Sequence, residues 1–418
     1  MRSQITLPLD IPDVEVLKTE ITAKGEYNIV VRSKAKGAKC HRCGRPIDKF
    51  HGYDRWIRIR HLPILGRPTY IVLRPKRYEC PFCSDRTTTT QDLDWYNPKT
   101  SLTKAYEEYL LLQLVNSTIK DVSRKEGVSY DTVRGVLAKQ IGRTVDWSTI
   151  THLDTLGIDE IALRKGRNSY AAIVSARHED GRVFVLTILG SRTKAAVKDF
   201  LLSIPEHLRE TVDSVCTDMW EGYVNAAKEV FGDRVQIVID RFHVAKSYRE
   251  DADKLRKQEC KRLKKELPET EYKELKGAIW AFRKNETTVN QKDQELLDRL
   301  FAHSPDLKLA YSLREKLTTI FNSQITKAQA VERITQWQRE VQTSGLKCFD
   351  SFLTTLDNWF DEITNYFHNR LNSGFVEGLN NKLKVIKRRC YGLLRPDHLF
   401  QRLFLDLEGY RLFGPAAC

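Results

Sequence analysis

Two Cys-x-x-Cys pairs, Cys40/Cys43 and Cys80/Cys83, constrain the opening of this chain more tightly than any other feature. Each short turn sets two sulfurs on one side, so the two turns together can close a tetrahedral four-thiolate zinc site. Between them "RWIRIRHLPI" and "PTYIVLRPKRYEC" alternate as strands, joined at a Gly66-Arg67-Pro68 turn. The plan is a zinc ribbon with a long β insertion, because 36 residues separate Cys43 from Cys80, more than the usual ribbon spacing. The alternatives are a pair of redox dithiols or four unconnected thiols, but a redox motif more often stands alone at a strand-to-helix junction. His41, His51 and His61 are read as surface histidines rather than replacement ligands. The strands between the pairs carry Arg55, Arg58, Arg60, Arg67, Arg74, Lys76 and Arg77. These bases make either a solvated face or, the preferred reading, one that tracks phosphates.

The next segment, "STIKDVSRKEGVSYDTVRGVLAKQI" (Ser117 to Ile141), reads as two helices about a tight turn. Ile119 and Val122 sit at helical spacing, Gly127 ends the first helix and Ser129 caps the second, with Asp131 in its first turn. Val133, Val136 and Leu137 form the apolar stripe that would bury it. A helix-turn-helix results, whose second helix offers Tyr130, Thr132, Arg134 and Lys139 to a DNA major groove. The formal net charge of +14 favours such a partner, since a surface of that sign attracts polyanions: nucleic acid first, an acidic membrane surface second.

From Leu153 the pattern changes. "LDTLGIDEIAL", "SYAAIVSAR" and "RVFVLTIL" read as strands, the last two joined by a Glu179-Asp180-Gly181 turn. A helix ("KAAVKDFLLSI", with Ala196, Phe200 and Leu201 on one side), a strand ("VDSVCTDMW"), a helix ("EGYVNAAKEVF") and a strand ending at Asp240 follow. That order predicts a mixed sheet whose first three strands are antiparallel, and the ribonuclease-H-like fold is the best-known match.

The order gives the acids meaning. Asp159 lies on the first strand and Asp218 at the end of the fourth, adjacent positions in such a sheet. Charges inside apolar strands are costly unless paired or bound to a cation, and Mg²⁺ is held by one or two carboxylates with waters and phosphate oxygens. The third ligand would be Glu377 on a final helix, with Lys384 two turns further along the same face. Beyond it Lys382, Lys384, Lys387, Arg388, Arg389 and Arg395 follow with no acid among them, a row built to hold a polyanion.

Taken together, the zinc ribbon, the helix-turn-helix, "GIDE", "TDMW", "DRFHV" and "NSGFVEGLNNKLKVIKRRCYG" resemble bacterial insertion-sequence transposases of the ISL3 family, in the DDE class. The resemblance covers nearly the whole chain. It implies Asp159, Asp218 and Glu377 as the catalytic acids, and recognition of terminal inverted repeats by the zinc ribbon and helix-turn-helix. Lys384 matches the basic residue often found seven positions after the glutamate. Asp240 and His243 resemble an Asp-x-x-His element of accessory role, with Asp240 expected to be peripheral to the three acids. The long interval between Asp218 and Glu377 is explained by a helical insertion. Within it Leu296, Leu297, Leu300 and Phe301 form one apolar stripe, and Phe349, Phe352, Leu353, Leu356 and Phe360 another. Trp280, Trp337 and Trp359 are expected to be buried. Whether the insertion carries DNA or dimer contacts, or is a charge-laced scaffold, stays open.

The expected organisation is multidomain α+β. A zinc-ribbon domain spans 1–98, a helix-turn-helix 99–150, a ribonuclease-H-like catalytic core 151–244, a helical insertion 245–369, and the final catalytic helix and tail 370–418. The expected activity is metal-dependent phosphodiester cleavage and strand transfer, with structural Zn²⁺ and catalytic Mg²⁺ or Mn²⁺. Partners would be double-stranded DNA, as terminal inverted repeats and target, with a homodimer or higher assembly on it. The competing classes are a non-enzymatic zinc-ribbon and helix-turn-helix regulator, and a structure-specific nuclease on the same fold. With no apolar leader, no span of eighteen apolar residues and an odd number of cysteines, the expected location is the bacterial cytoplasm, on the nucleoid.

Overall fold

The computed structural model describes residues 8–98, 100–163, 170–177, 181–371 and 374–415. Glu179 and Asp180 of the expected hairpin turn, and Asn372 and Ser373 at the head of the tail motif, lie outside the described residues. The chain forms two units: Met1–Gly142 with Arg388–Gly392 and Gln401–Cys418, and Arg143–Lys387 with Leu393–Phe400.

In the first unit, strands β1 (Val14–Ile21), β2 (Tyr27–Ser33), β3 (Lys49–Tyr53), β4 (Ile57–Ile64), β5 (Arg67–Leu73), β6 (Lys76–Glu79) and β7 (Thr88–Thr90) make most of two sheets. The larger runs β1-β2-β5-β4 and continues through Leu102–Thr103 and Tyr96–Asn97, while β3-β6-β7 form the smaller. The turn between β4 and β5 is Leu65-Gly66, with φ of 50° and 73°, one residue earlier than the sequence suggested. Two positive φ angles give the hairpin twist that matches its strands, and Arg67 is already paired with Ile64.

The basic strand residues are largely occupied. Arg58 pairs with Glu26 at 2.5 Å, Arg74 donates to the Asp54 carbonyl at 2.8 Å, and Lys76 to that of Ala35 at 3.1 Å. Arg60 and His61 are buried rather than on the surface, because β4 is an interior strand covered by helix α1 (Lys104–Leu114). The Arg60 guanidinium lies against the rings of Tyr70 and Tyr106, and His61 Nδ1 is 3.0 Å from Thr103 Oγ1. Helices α2 (Ile119–Glu126) and α3 (Tyr130–Gln140) follow. Gly127 closes α2 in the left-handed conformation that glycine adopts without penalty, and Ser129 Oγ caps α3 by accepting the Thr132 N–H at 3.0 Å. Leu110, Leu114, Val122, Val133, Val136, Leu137 and Leu405 form their shared core.

The second unit is built on strands β8 (Thr155–Ala162), β9 (Tyr170–Arg177), β10 (Val183–Leu189), β11 (Ser214–Thr217) and β12 (Gln236–Ile239). Their order is β10-β9-β8-β11-β12; β8, β9 and β10 are antiparallel, and β11 and β12 run parallel to β8. This is the mixed sheet of the ribonuclease-H-like fold. Helices α4 (Lys194–Ser203) and α5 (Glu221–Phe231) pack together beside it. Val197 and Leu201 are the residues α4 buries. Asp240 caps the long helix α6 (Arg241–Glu266), accepting the Phe242 N–H at 3.2 Å.

The insertion contains α7 (Ala278–Arg283), α8 (Gln291–His303), α9 (Pro305–Asn322), α10 (Lys327–Ser344) and α11 (Asp350–Asn358). Leu297, Leu300, Phe349, Phe352 and Leu356 join one continuous core with the sheet. Trp337 is fully buried, its indole N–H donating to the Leu313 carbonyl at 2.8 Å. Trp280, by contrast, is 66% exposed, a departure from the expected burial; α7 turns Ala278, Ala281 and Phe282 inward, which leaves Trp280 on its outer side. Along α6, ion pairs at helical spacing such as Arg256–Asp253 and Arg262–Glu259 supply the charge lacing. Helices α12 (Gly374–Arg389) and α13 (Pro396–Phe413) end the chain. Among the described residues, no helix is long and apolar enough to cross a membrane.

Candidate functional site

One pocket of about 380 Å³ in the second unit gathers Asp159, Asp218 and Glu377. Each acid arrives by a different route. Asp159 projects from β8, Asp218 follows the last residue of the neighbouring β11, and Glu377 stands in the first turn of α12. Gly157 lets that helix come close: a Cβ there would stand 2.2 Å from Val376 Cγ2 and 2.8 Å from the Phe375 ring. Glu377, Asn380 and Lys384 stand at successive turns of α12 and all line the pocket.

Further residues from other elements line the same pocket. Asp240, only 5% exposed, lines the same pocket with His243, so it is not peripheral as its strand-end position suggested. Asn380 is buried; its Nδ2–H donates to Asp159 Oδ2, while its Oδ1 finds no partner among the described residues. Glu160, on the pocket rim, is held by Arg192 at 2.7 Å, and Arg192 lies over the rings of Tyr170 and Trp220. Lys246, one turn after Phe242 on α6, adds a second lysine. Sequence reading missed Asn380 and Lys246. The i+3 spacing of Asn380 from Glu377 was the available signal, on the same face that drew attention to Lys384.

The electrostatics follow from that crowding. Burial pushes the Asp159 carboxyl above its ordinary range, and the neighbouring Asp240 and Glu160 charges add to this. Asp218 is pushed up to about 6, by burial first and by the charge on Asp159 second. Oxygen donors whose negative charge is strained in this way suit a hard divalent cation, which relieves the repulsion between them. The carboxylates are spaced more widely than the cysteines. Among the described residues, the cysteine group is the one whose ligand atoms all come within 4.8 Å of one another.

That group is Cys40, Cys43, Cys80 and Cys83, in the first unit. Gly44 N–H to Cys40 O and Arg86 N–H to Cys83 O close the two knuckles, at 2.9 and 3.0 Å. Cys43 Sγ and Cys80 Sγ are 3.6 Å apart, near the ~3.8 Å edge of a tetrahedron with Zn–S bonds of about 2.3 Å. Backbone N–H groups of Cys43 and Arg42 draw the Cys40 thiol down to about 6, while burial and the adjacent sulfurs push Cys83 up to about 12. Four sulfurs that cannot all ionise in one small space fit Zn²⁺, whose charge removes the conflict.

On α3, the second helix of the helix-turn-helix, Tyr130 is 48% exposed and Arg134 pairs with the exposed Asp131 at 2.9 Å. Thr132 sits in the Ser129 cap. Lys139 is tied to the buried Glu107 at 3.1 Å and points into that contact. Among the tail bases, Lys387 donates to the Ala162 carbonyl at the end of β8, and Arg389 pairs with the buried Asp406. Lys384 and Arg388 are exposed.

Comparison with known proteins bears on all three segments. A family model described as a transposase, of the ISL3 type in the DDE class, matches residues 156–403. The chain belongs to the ISL3 family of transposases. A model for the zinc finger of transposases IS204, IS1001, IS1096 and IS1165 matches residues 36–83, and one for the helix-turn-helix of the ISL3 transposases matches 91–140. The chain is 26% identical to the transposase for insertion sequence element IS1001 of Bordetella parapertussis, over 91% of this chain and 92% of that one. It is 22% identical to the transposase for IS1557 of Mycobacterium tuberculosis, over 96% and 93%. A solved structure titled Drosophila P element transposase strand transfer complex aligns with 72% of this chain and 91% of that one, at 13% identity and a TM-score of 0.39. As an ISL3 transposase, the protein carries zinc-ribbon, helix-turn-helix and transposase domains in that order, and its four-cysteine cluster fits zinc.

Proposed function

We propose that this transposase binds the terminal inverted repeats of its element, cleaves the phosphodiester at each end and joins the freed 3′ end to target DNA. The observation that carries this reading is the pocket in which Asp159, Asp218 and Glu377 meet beside Lys384. Those three acids would hold Mg²⁺ or Mn²⁺, whose charge supplies stabilisation for the attacking and leaving oxygens of an in-line displacement. Lys384 neutralises a phosphate oxygen of the strand lying in the pocket. Asn380 fixes the Asp159 carboxylate, and Asp240 and His243 line the same pocket. Tyr130, Thr132 and Arg134 on α3 read base edges of the repeat, and joining two ends to one target calls for a dimer or higher assembly on DNA.

A regulator that only binds DNA has no use for partly buried acids brought together by adjacent strands. The test is Mg²⁺-dependent nicking and joining of a labelled duplex carrying the element's end. Asp159→Asn, Asp218→Asn and Glu377→Gln should keep fold and end binding, yet lose cleavage by several orders of magnitude. Near-native nicking by folded Glu377→Gln protein would remove α12 from the chemistry. Nicking without joining would make the protein a nuclease.

A further inference from the structure

Helix α6 leads out of the acid pocket into a second cavity of about 350 Å³. Phe242 and Lys246 line both. Phe282 of α7 adds a second aromatic wall, and Arg249, Arg283 and Arg314 bring guanidinium groups to the cavity, facing the acids Glu250 and Asp253.

Most of those charges are already answered. Asp253 is bound by Arg256 at 2.7 Å, Arg283 at 2.9 Å and Lys257 at 3.3 Å. Arg314 is held by Glu315 at 2.7 Å and by the carbonyls of Phe282 and Lys284. Glu250 lies 4.0 Å from Lys246. Arg249 is the exception. It donates once, to Asn285 Oδ1 at 2.7 Å; its buried Nε finds no acceptor, and no carboxylate pairs with it among the described residues. The Phe242 ring is 54% exposed, an uncovered aromatic face next to an unanswered cation.

An aromatic face with a guanidinium short of an anion is the chemistry that receives a nucleotide, base on ring and phosphate on donor. From Phe242 to Arg249 is two turns of helix, about 10 Å. We propose that this cavity is a nucleotide subsite: it takes a nucleotide neighbouring the phosphodiester in the acid pocket, its base against Phe242 and its phosphate on Arg249 and Lys246. Which nucleotide it takes rests on the cleavage reading above; that it takes one does not.

The experiment uses the full zinc-loaded chain with Ca²⁺ in place of Mg²⁺. The probe is a short labelled oligothymidylate, compared with the same strand carrying one abasic position moved along it. Phe242→Ala should weaken binding of the intact strand about tenfold, the equivalent of one stacked base, and Phe242→Tyr should restore it. One abasic position should cost native protein the same factor and cost Phe242→Ala nothing more, since the ring and base are then lost as a pair. Arg249→Ala should weaken binding and lower the salt slope by about one. Asp159→Asn should leave the abasic effect unchanged. A protein that nicks DNA while its Phe242→Ala and Arg249→Ala variants bind every strand as native does overturns the subsite and leaves cleavage standing. A native protein that shows the abasic effect through Phe242 yet nicks nothing keeps the subsite and sinks the cleavage reading.

Discussion

Asn380 does for Asp159 what a charged neighbour could not: it fixes one carboxylate oxygen by a hydrogen bond without neutralising the pair's demand for a cation. Losing it should loosen the site rather than unfold it. Asn380→Ala is expected to cut nicking 10- to 100-fold and raise the Mg²⁺ concentration needed for half-maximal rate, with melting temperature little changed. An unchanged Mg²⁺ requirement would reduce Asn380 to packing. Asp218 gives a prediction with a pH sign. Its folded carboxyl titrates near 6, above its ordinary 3.8, so between those values the folded chain binds more protons than the unfolded one. Stability therefore falls as pH rises through that window and stays lower above it. Without Mg²⁺, Asp218→Asn should be more stable than native protein at pH 7.5, by about 3 kcal/mol at most, and the difference should shrink toward pH 4. Added Mg²⁺ should stabilise native protein more than the variant; a variant melting below native at pH 7.5 would remove the strain. Asp159, Asp218, Glu377 and Lys384 were legible because charge in an apolar strand or at helical spacing is conspicuous. Asn380 was not, since an amide among amides in "GLNNK" carries no such mark.

Elements were legible wherever one local rule decided them. Ser129 and Gly127 announce α3 and the end of α2, and strand, hairpin, helix, strand, helix, strand fixes the order of a mixed sheet. What one segment cannot disclose is its partner across space. The alternation of β4 gave no hint that α1 would bury Arg60 and His61, nor the tail's run of bases that Lys387 would cap the end of β8. Gly157 belongs to the same class. In sequence it is a weak point in a strand; in the fold it is the gap into which Val376 and Phe375 settle, and so sets the depth at which the adjacent Glu377 reaches the pocket. Gly157→Ala should cost about 2 kcal/mol from overpacking and lower nicking with it. Adding Val376→Ala should recover most of the stability by removing the closest atom. A Gly157→Ala chain as stable and as active as native would mean that α12 is free to shift.

At the scale of the whole molecule, the net charge of +14 pointed to a polyanion but not to where it binds. Many of the bases that suggested phosphate contacts prove to brace the protein: Arg58 and Arg74 the ribbon sheet, Lys139 the buried Glu107, Arg389 the buried Asp406. Pairing of this kind is invisible to a count of charges, because the partners involved, carboxylates and a backbone carbonyl, are distant in sequence. The two units separate the candidate sites more sharply. The four ribbon cysteines and helix α3 lie in one, and every residue lining the acid pocket lies in the other, each with its own hydrophobic core. Removing zinc should therefore separate recognition from chemistry. Cys80→Ser protein is expected to lose about one zinc per chain and most of its preference for the element's ends over unrelated DNA, because the ribbon around Ile47, Tyr78 and the sulfurs has little else to hold it. Its Mg²⁺-dependent nicking of unrelated duplex at high protein concentration should persist, since none of the pocket's ligands depends on the ribbon. Metal analysis, end binding across a salt series and nicking of non-specific duplex measure the three quantities separately. Zinc-free protein that still prefers its ends would strip the ribbon of its recognition role. Loss of all nicking in a chain whose second unit still melts cooperatively would show that the acids need the ribbon after all.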